Sequence, residues 1–321
     1  MIGQEQGTTM PIADSTAGHA LAGIDIGGTK IGALLVGSDG EVRARGSVPA
    51  PASLGGAAMA DAAAGLVVAL AAEAAVELGA VGVGAAGVID HETGTIRAAS
   101  ATFADWAGFP LADELEQRLG VPVRVENDVN AFLLGEAAAA GRSERDVLGV
   151  MLGTGVGGAV IIDGELHHGP HGAAGEIGHT PGYSDLVCTC GQVGHLETLA
   201  SGTSIALRYA ERTGTAVADA RGVADRARAG DADARAVFDA AGRALALACA
   251  SAATLLDLPC AIVGGGVAAS WDLLAPAIDA VLRTDSPVSG IPLRIVPAVL
   301  GADAVALGAI ETARRALVPT P

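Results

Sequence analysis

Three groups of chemically able residues follow one another between Gly153 and Glu197. The first is a glycine turn, Gly153-Thr154-Gly155-Val156-Gly157-Gly158, whose backbone N–H groups suit an anionic ligand. The second is Gly175-Glu176-Ile177-Gly178-His179, and the third runs from Cys188 through Cys190 and His195 to Glu197. His179, Cys188, Cys190 and His195 offer four nitrogen or sulfur ligands in a glycine-rich loop, the donor set of a closed, tetrahedral structural Zn²⁺. Two thiols one residue apart are poorly placed to bridge each other, which favours a metal over a disulfide. The bland alternative is a pair of free thiols on a surface loop with His195 merely nearby.

A second glycine turn lies near the start of the chain. In Asp25-Ile26-Gly27-Gly28-Thr29-Lys30 the glycines let backbone N–H groups approach phosphate, Thr29 adds a hydroxyl, and Lys30 is the only lysine of the sequence. Asp25 is a candidate to orient Mg²⁺ through waters, or else a turn-capping aspartate. Asp128 is the candidate general base, since phosphoryl transfer needs a carboxylate within reach of the attacking hydroxyl; the competing role is a helix N-cap. Glu176, His179 and Glu197 supply two carboxylates and an imidazole for vicinal hydroxyls. A zinc ion on one nitrogen of His179 would fix the tautomer of the other.

These residues need elements to carry them. The stretch 22–48 reads as a three-stranded meander, with Ile31, Ala33 and Leu35 on one face. A similar strand, glycine turn, strand and Asp-Gly turn recur at 148–168, which predicts two related halves facing each other across a cleft. Between them fall a helix over 57–78, strands over 81–85 and 121–125, and a helix over 131–140. Later come a helix over 239–256, a strand over 260–263, the turn Gly264-Gly265-Gly266 and a last helix over 303–317. The expected division is a loose tail at 1–20, a small lobe of 21–130 with the C-terminal 303–321, and a large lobe of 131–302 carrying the zinc loop 179–195.

Composition excludes several classes. With 36 acidic against 19 basic side chains the net charge is −17, which argues against a nucleic-acid surface, and 2% aromatic content gives little for base stacking. Four cysteines do not make a secreted disulfide framework, and a thiolate zinc site fits the reducing cytoplasm; Cys249 and Cys260 fall in apolar runs and read as buried small hydrophobes. Residues 1–20 lack the pattern of a signal peptide, and the alanine-rich segments are interrupted by polar residues, so no membrane span is expected. Gly153, Gly155 and Gly158 also satisfy G-x-G-x-x-G, but the β-branched run Val160-Ile161-Ile162 follows where a dinucleotide fold would start a helix.

Together the motifs resemble the ROK family of sugar kinases and sugar-responsive repressors, within the actin-like ATPase (ribonuclease H-like) and hexokinase fold, an α/β class. The resemblance runs from about Leu21 to the last helix. It implies that Asp25, Gly27, Gly28, Thr29 and Lys30, with Gly153, Thr154, Gly155 and Gly157, hold the phosphates of ATP, and that Gly264, Gly265 and Gly266 hold the adenosine. It places Gly87, Thr102, Asn127, Glu176, His179 and Glu197 at the sugar and has Asp128 deprotonate its 6-hydroxyl. Where the family's zinc loop ends in a third cysteine this chain has His195, and Thr102 stands where family kinases often carry an asparagine that contacts the sugar. The implied activity is an ATP- and Mg²⁺-dependent hexose kinase, first of all a glucokinase. N-acetylmannosamine, N-acetylglucosamine, allose or fructose are the alternative substrates. A DNA-binding repressor would carry a helix-turn-helix ahead of Leu21, where no basic helix is read, and a binder without catalysis would need no phosphate loops. A homodimer or homotetramer follows from the resemblance alone.

Overall fold

The computed structural model describes residues 19–100, 102–139, 144–285 and 287–317, so the tail expected over 1–20 lies outside the described residues except at its end. Ala20 already belongs to a strand. The first half runs β1 (Ala20–Ile26), β2 (Lys30–Val36), β3 (Val42–Pro49), α1 (Gly56–Ala74), β4 (Leu78–Ala85), the hairpin β5 (Val88–Asp90) and β6 (Thr95–Ala98), α2 (Leu111–Leu119) and β7 (Val123–Asn127). Helix α3 (Asp128–Ala139) leads to the second half: β8 (Val147–Leu152), β9 (Val156–Ile162), β10 (Glu165–Leu166), α4 (Glu197–Ala200), α5 (Gly202–Thr213), α6 (Ala220–Arg228), α7 (Ala232–Leu256), β11 (Cys260–Gly264), α8 (Trp271–Thr284) and β12 (Arg294–Pro297). Helix α9 (Ala304–Ala316) closes the described chain.

Two five-stranded sheets share one plan. Their orders are β3-β2-β1-β4-β7 and β10-β9-β8-β11-β12. In each, the first three strands are antiparallel and the next two join in parallel, as the internal repeat predicts. Strand β2 is buried on both faces: Ile31, Ala33 and Leu35 join the core beneath α1, while Leu34 and Val36 meet Ala306 and Ile310 of α9. Helices α1 and α7 are long and apolar enough to cross a membrane by length and composition, yet α1 lies on β2 and β3 and α7 packs among α4, α5, α6 and α8. Cys249 and Cys260 are fully buried as expected, and burial pushes the Cys249 thiol up to about 12.

Several expected boundaries shift for local reasons. The helix expected over 57–78 stops at Ala74, because Ala75 turns left-handed at φ 52° and returns its N–H to Ala71 and Ala72, freeing Leu78 to start β4. The strand expected over 121–125 runs two residues further, through Asn127, and α3 begins at Asp128 instead of 131. Asn127 explains this, since its Oδ1 accepts from Val129 N at 2.8 Å and Asn130 N at 3.2 Å and so caps the helix. Strand β9 starts at Val156, inside the glycine motif and ahead of the β-branched run 160–162. Helix α7 starts at Ala232, capped by Asp231 through Asp233 N and Ala234 N, seven residues before the start at 239.

Helix α9 is seated by glycine. A Cβ on Gly23 of β1 or Gly82 of β4 would run into the carbonyls of Ala306 or Ala309, and one on Gly135 of α3 into that of Ala304. Gly308 of α9 likewise lies on the Ala131 carbonyl of α3. Glu136, fully buried, accepts from Val299 N and Leu300 N and so pins the segment that leads into α9. Gly308→Ala should therefore lose about 1–3 kcal/mol in urea denaturation, against the helix propensity of alanine. Gly65→Ala, on α1 with no neighbour within 4 Å, should gain up to about 1 kcal/mol.

Candidate active site

The first glycine turn closes the β1–β2 hairpin, with Gly27 N donating to Lys30 O at 3.1 Å and Ala50 N to Thr29 O at 3.0 Å. Gly28 sits under Thr102 and Phe103, 3.2 Å and 3.4 Å from where its Cβ would be, so Thr102 flanks the turn. Asp25 lies within β1, paired with Gly32 on one side and Gly84 on the other, and is therefore no turn cap. Burial pushes its carboxyl up to about 6, with Lys30 opposing. A cavity of about 240 Å³ opens beside it, lined by Lys30, Arg45, Ser47 and Asp303 among others.

Asp128 stands at the β7–α3 junction. Gly84 lets α3 and α9 come close to β4 beside it, since a Cβ there would meet Val305 Cγ1 at 2.4 Å and the Ala131 Cβ at 3.0 Å. The capping role falls to Asn127, whose Nδ2 also donates to Gly87 O at 2.9 Å. Gly87 needs its glycine, because φ is +119° and a Cβ would meet the Ala98 carbonyl at 2.5 Å. Trp106, buried, donates Nε1–H to Ala86 O at 3.0 Å and holds the same corner from the other side. Burial pushes the Asp128 carboxyl up to about 7, and the negative charges of Asp25 and Glu176 add to this against the Val129 N–H. Asp25 from β1 and Glu176 from the second half thus converge electrostatically on Asp128.

The second glycine turn, 153–155, joins β8 to β9, so a strand and no helix follows it, as the β-branched run predicts. Gly153 N donates to Gly155 O at 3.0 Å, and Gly202 N at the start of α5 donates to Gly153 O at 2.8 Å. Thr154 is exposed at its tip. Gly264 ends β11 and abuts the Phe132 ring; Gly265, at φ +86°, lies against the Leu152 carbonyl, 2.5 Å from a Cβ position. Gly266 then opens the 3₁₀ turn that leads into α8.

The segment 175–179 lies on the backbone of β9. Gly158 and Gly175 face each other, and Gly178 abuts the Val156 carbonyl, contacts that any side chain would prevent. This fixes Glu176 and His179 on either side of Ile177, which is buried. Glu176 is exposed, and its carboxyl is held above its usual value by the surrounding protein first, with Glu197 adding and His179 opposing.

His179, Cys188, Cys190 and His195 bring their donor atoms within 4.8 Å of one another. His179 Nδ1 is 3.3 Å from His195 Nδ1 and 3.8 Å from Cys188 Sγ, and Cys190 Sγ is 3.3 Å from His195 Nδ1. The other nitrogen of His195 meets Gln192 Oε1 at 3.1 Å. Gln192 is a residue that sequence reasoning missed, because nothing in the spacing says which ring nitrogen faces inward. Glu197 is buried, with Oε2 accepting from Val156 N at 3.0 Å and Oε1 from Thr189 Oγ1 at 2.6 Å. It therefore links the second glycine turn to the cysteine loop, a role that Thr189 shares and that the motif did not reveal.

Two sheets of one topology, with acidic groups of both halves gathered about Asp128, define the duplicated, two-lobed α/β fold of the actin-like ATPases. The chain belongs to the ROK family, whose sequence model matches residues 21–316. A glucokinase of Streptomyces coelicolor is 40% identical over 196 residues, 60% of this chain and only 60% of that enzyme's length. An N-acetylmannosamine kinase of Escherichia coli is 37% identical over 254 residues, covering 78% of this chain and 84% of that one. The crystal structure of a ROK family glucokinase from Streptomyces griseus in complex with glucose and AMPPNP superposes with a TM-score of 0.79 at 33% identity, covering 92% of this chain and 99% of that one.

The raised carboxyls have a measurable sign. Folding lifts Asp128 from 3.8 to about 7, so the folded state holds a proton that the unfolded chain gives up. The stability this contributes is complete below the unfolded value and is lost as pH rises through about 7. Asp128→Asn should thus melt above wild type at pH values beyond about 7, with the difference disappearing near pH 4, in calorimetric scans across pH.

Proposed function

We propose that this chain is a cytoplasmic, ATP-dependent sugar kinase that transfers the γ-phosphoryl group to the 6-hydroxyl of a hexose, with glucose first and N-acetylmannosamine second. The observation that carries the reading is Asp128, a carboxyl raised to about 7, freed from capping by Asn127 and set between groups from both halves. A base with that value accepts a hydroxyl proton near neutral pH. Glu176 and His179 would hold ring hydroxyls, while Gly27, Gly28 and Thr29 and the 153–155 turn would receive the phosphates. Gly264, Gly265 and Gly266 would line the adenosine.

Two groups fit the residues present. Asp25 and Asp128 both lose water and are raised by it, and the charge of Asp25 adds to the rise at Asp128, an environment that a Mg²⁺ brought with ATP would relieve; that ion supplies neutralisation of phosphate charge. The nitrogen–nitrogen separation of 3.3 Å in the cysteine loop matches the edge of about 3.3 Å for two imidazoles bound tetrahedrally at 2.0–2.1 Å. Zinc there would be held by Nδ1 of His179 and His195 with Cys188 and Cys190, leaving Nε2 of His179 for a sugar hydroxyl. His195 thus serves as a fourth ligand in place of cysteine.

Metal analysis should find one zinc per chain in wild type and in His195→Cys, and a loss in Cys188→Ser with Cys190→Ser. Zinc absent from wild type would leave the cluster as free thiols. For the reaction, ADP formation with Mg-ATP is to be measured on glucose, N-acetylmannosamine, N-acetylglucosamine, allose and fructose. Turnover on one sugar that falls by about 100-fold or more in Asp128→Ala supports the base assignment; absence of turnover on every sugar by folded, metal-loaded protein would sink the kinase reading.

A further inference from the structure

Glu126, the residue of β7 two before Asp128, is 6% exposed and has both carboxylate oxygens engaged. Oε1 accepts from Asn127 N at 2.9 Å and from Asn130 Nδ2 at 2.8 Å, and Oε2 meets His168 Nε2 at 2.7 Å. Burial pushes this carboxyl up, but the His168 imidazole, with the two asparagine donors, outweighs it and holds it below its ordinary value.

His168 comes from the other half of the molecule. It follows β10 and opens the loop that delivers 175–179, with its carbonyl accepting from Ala174 N at 3.1 Å. Its ring stacks on that of His91, beyond β5, with centroids 4.2 Å apart and planes 10° from parallel. Further along the same loop Gly172, at φ +71°, lies against the Ile89 carbonyl of β5, where a Cβ would come to 3.0 Å. The loop that presents Glu176 and His179 is thus moored to the first half at Glu126, His91 and Ile89.

We propose that His168 is a positioning residue for phosphoryl transfer, tying Asn127 and Asp128, through Glu126, to the loop that carries Glu176 and His179. The assignment rests on the kinase reading above. Without His168 the Glu126 carboxylate keeps two N–H donors on Oε1 and loses the ring nitrogen that engages Oε2, which leaves that oxygen buried without its partner, a costly state. Its cheapest relief is to rotate outward or take a proton, and either change releases Asn127 N–H at the residue before the base. Reaction rates respond steeply to such shifts. Neither Glu126 nor His168 bonds the glycine turns at 27–29 and 153–155, so the effect belongs to the sugar side.

Steady-state kinetics on glucose and N-acetylmannosamine should compare wild type with His168→Ala, His168→Arg, Glu126→Gln and the Ala/Gln double variant. His168→Ala is expected to lower kcat about 10- to 100-fold and raise KM for the sugar, with KM for ATP within about twofold of wild type. His168→Arg, which returns an N–H donor to Glu126, should restore most of kcat, and His168→Ala should add nothing in the Glu126→Gln background. A His168→Ala enzyme that melts lower yet keeps kcat and both KM values overturns the assignment, as does an effect that multiplies with that of Glu126→Gln. Amide hydrogen exchange reads the tether without turnover: exchange at 127–130 should quicken in His168→Ala while 153–156 is unchanged, and equal exchange in the two proteins overturns it. Should wild type phosphorylate none of the five sugars, the kinase reading fails and the exchange result alone decides on the tether.

Discussion

Backbone laid directly on backbone, made possible by glycine, is the constraint from which the rest of this structure follows. Gly23, Gly82, Gly135 and Gly308 let α9 lie against β1, β4 and α3 with no side chain between. Helix α3 then has no freedom to slide, and its first residue is Asp128. The same device seats the segment that carries Glu176 and His179, because Gly158, Gly175 and Gly178 press 175–179 onto β9. A chain with 46 glycines and 2% aromatic residues builds its core from small side chains at close range. In such a core each missing Cβ decides whether two elements meet, and elements so placed resist drift.

That rigidity lets the molecule keep acidic groups where solvent would otherwise draw them apart. Asp25 and Asp128 lie on different elements, β1 and the start of α3, and each is deprived of water; Glu176 adds a third negative group. Their mutual repulsion disfavours the folded state near neutral pH and is tolerated because the scaffold is held elsewhere, a trade between stability and function. Glu126 and Glu136 show the opposite solution. One is satisfied by a histidine and two asparagine donors, the other by the backbone N–H groups of Val299 and Leu300. Buried carboxylates with complete partners act as structural pins, and those left short of partners hold their protons to higher pH.

How much of this was legible in the sequence depends on the range of the interaction. The duplicated meanders, the strand that follows the turn at 153–155 and the four metal-type donors were readable because each is a local pattern. The start of α3 was not, since the N-cap role weighed for Asp128 falls to Asn127, which caps the helix with its own side chain. The early start of α7 was hidden by the acidic residues Asp231 and Asp233, which look like a loop, although Asp231 caps the helix and Asp233 lies in its first turn. Contacts such as Glu126 with His168, 42 positions apart, or Glu197 with Val156, 41 apart, depend on how the halves pack and leave no periodic trace.

Glu197 shows why the three motifs occur in series along the chain. One oxygen holds the N–H of Val156, at the end of the second glycine turn, and the other holds the hydroxyl of Thr189, between the two cysteines. Gly155 is small because the Glu197 carboxylate occupies the space a Cβ would need, 2.5 Å away. A side chain on Gly155 would displace the carboxylate and break both links together. The cysteine loop therefore does more than gather four metal-type donors: by fixing Thr189 it orients Glu197, and Glu197 sets the second glycine turn. Loop and turn are thus joined through one carboxylate.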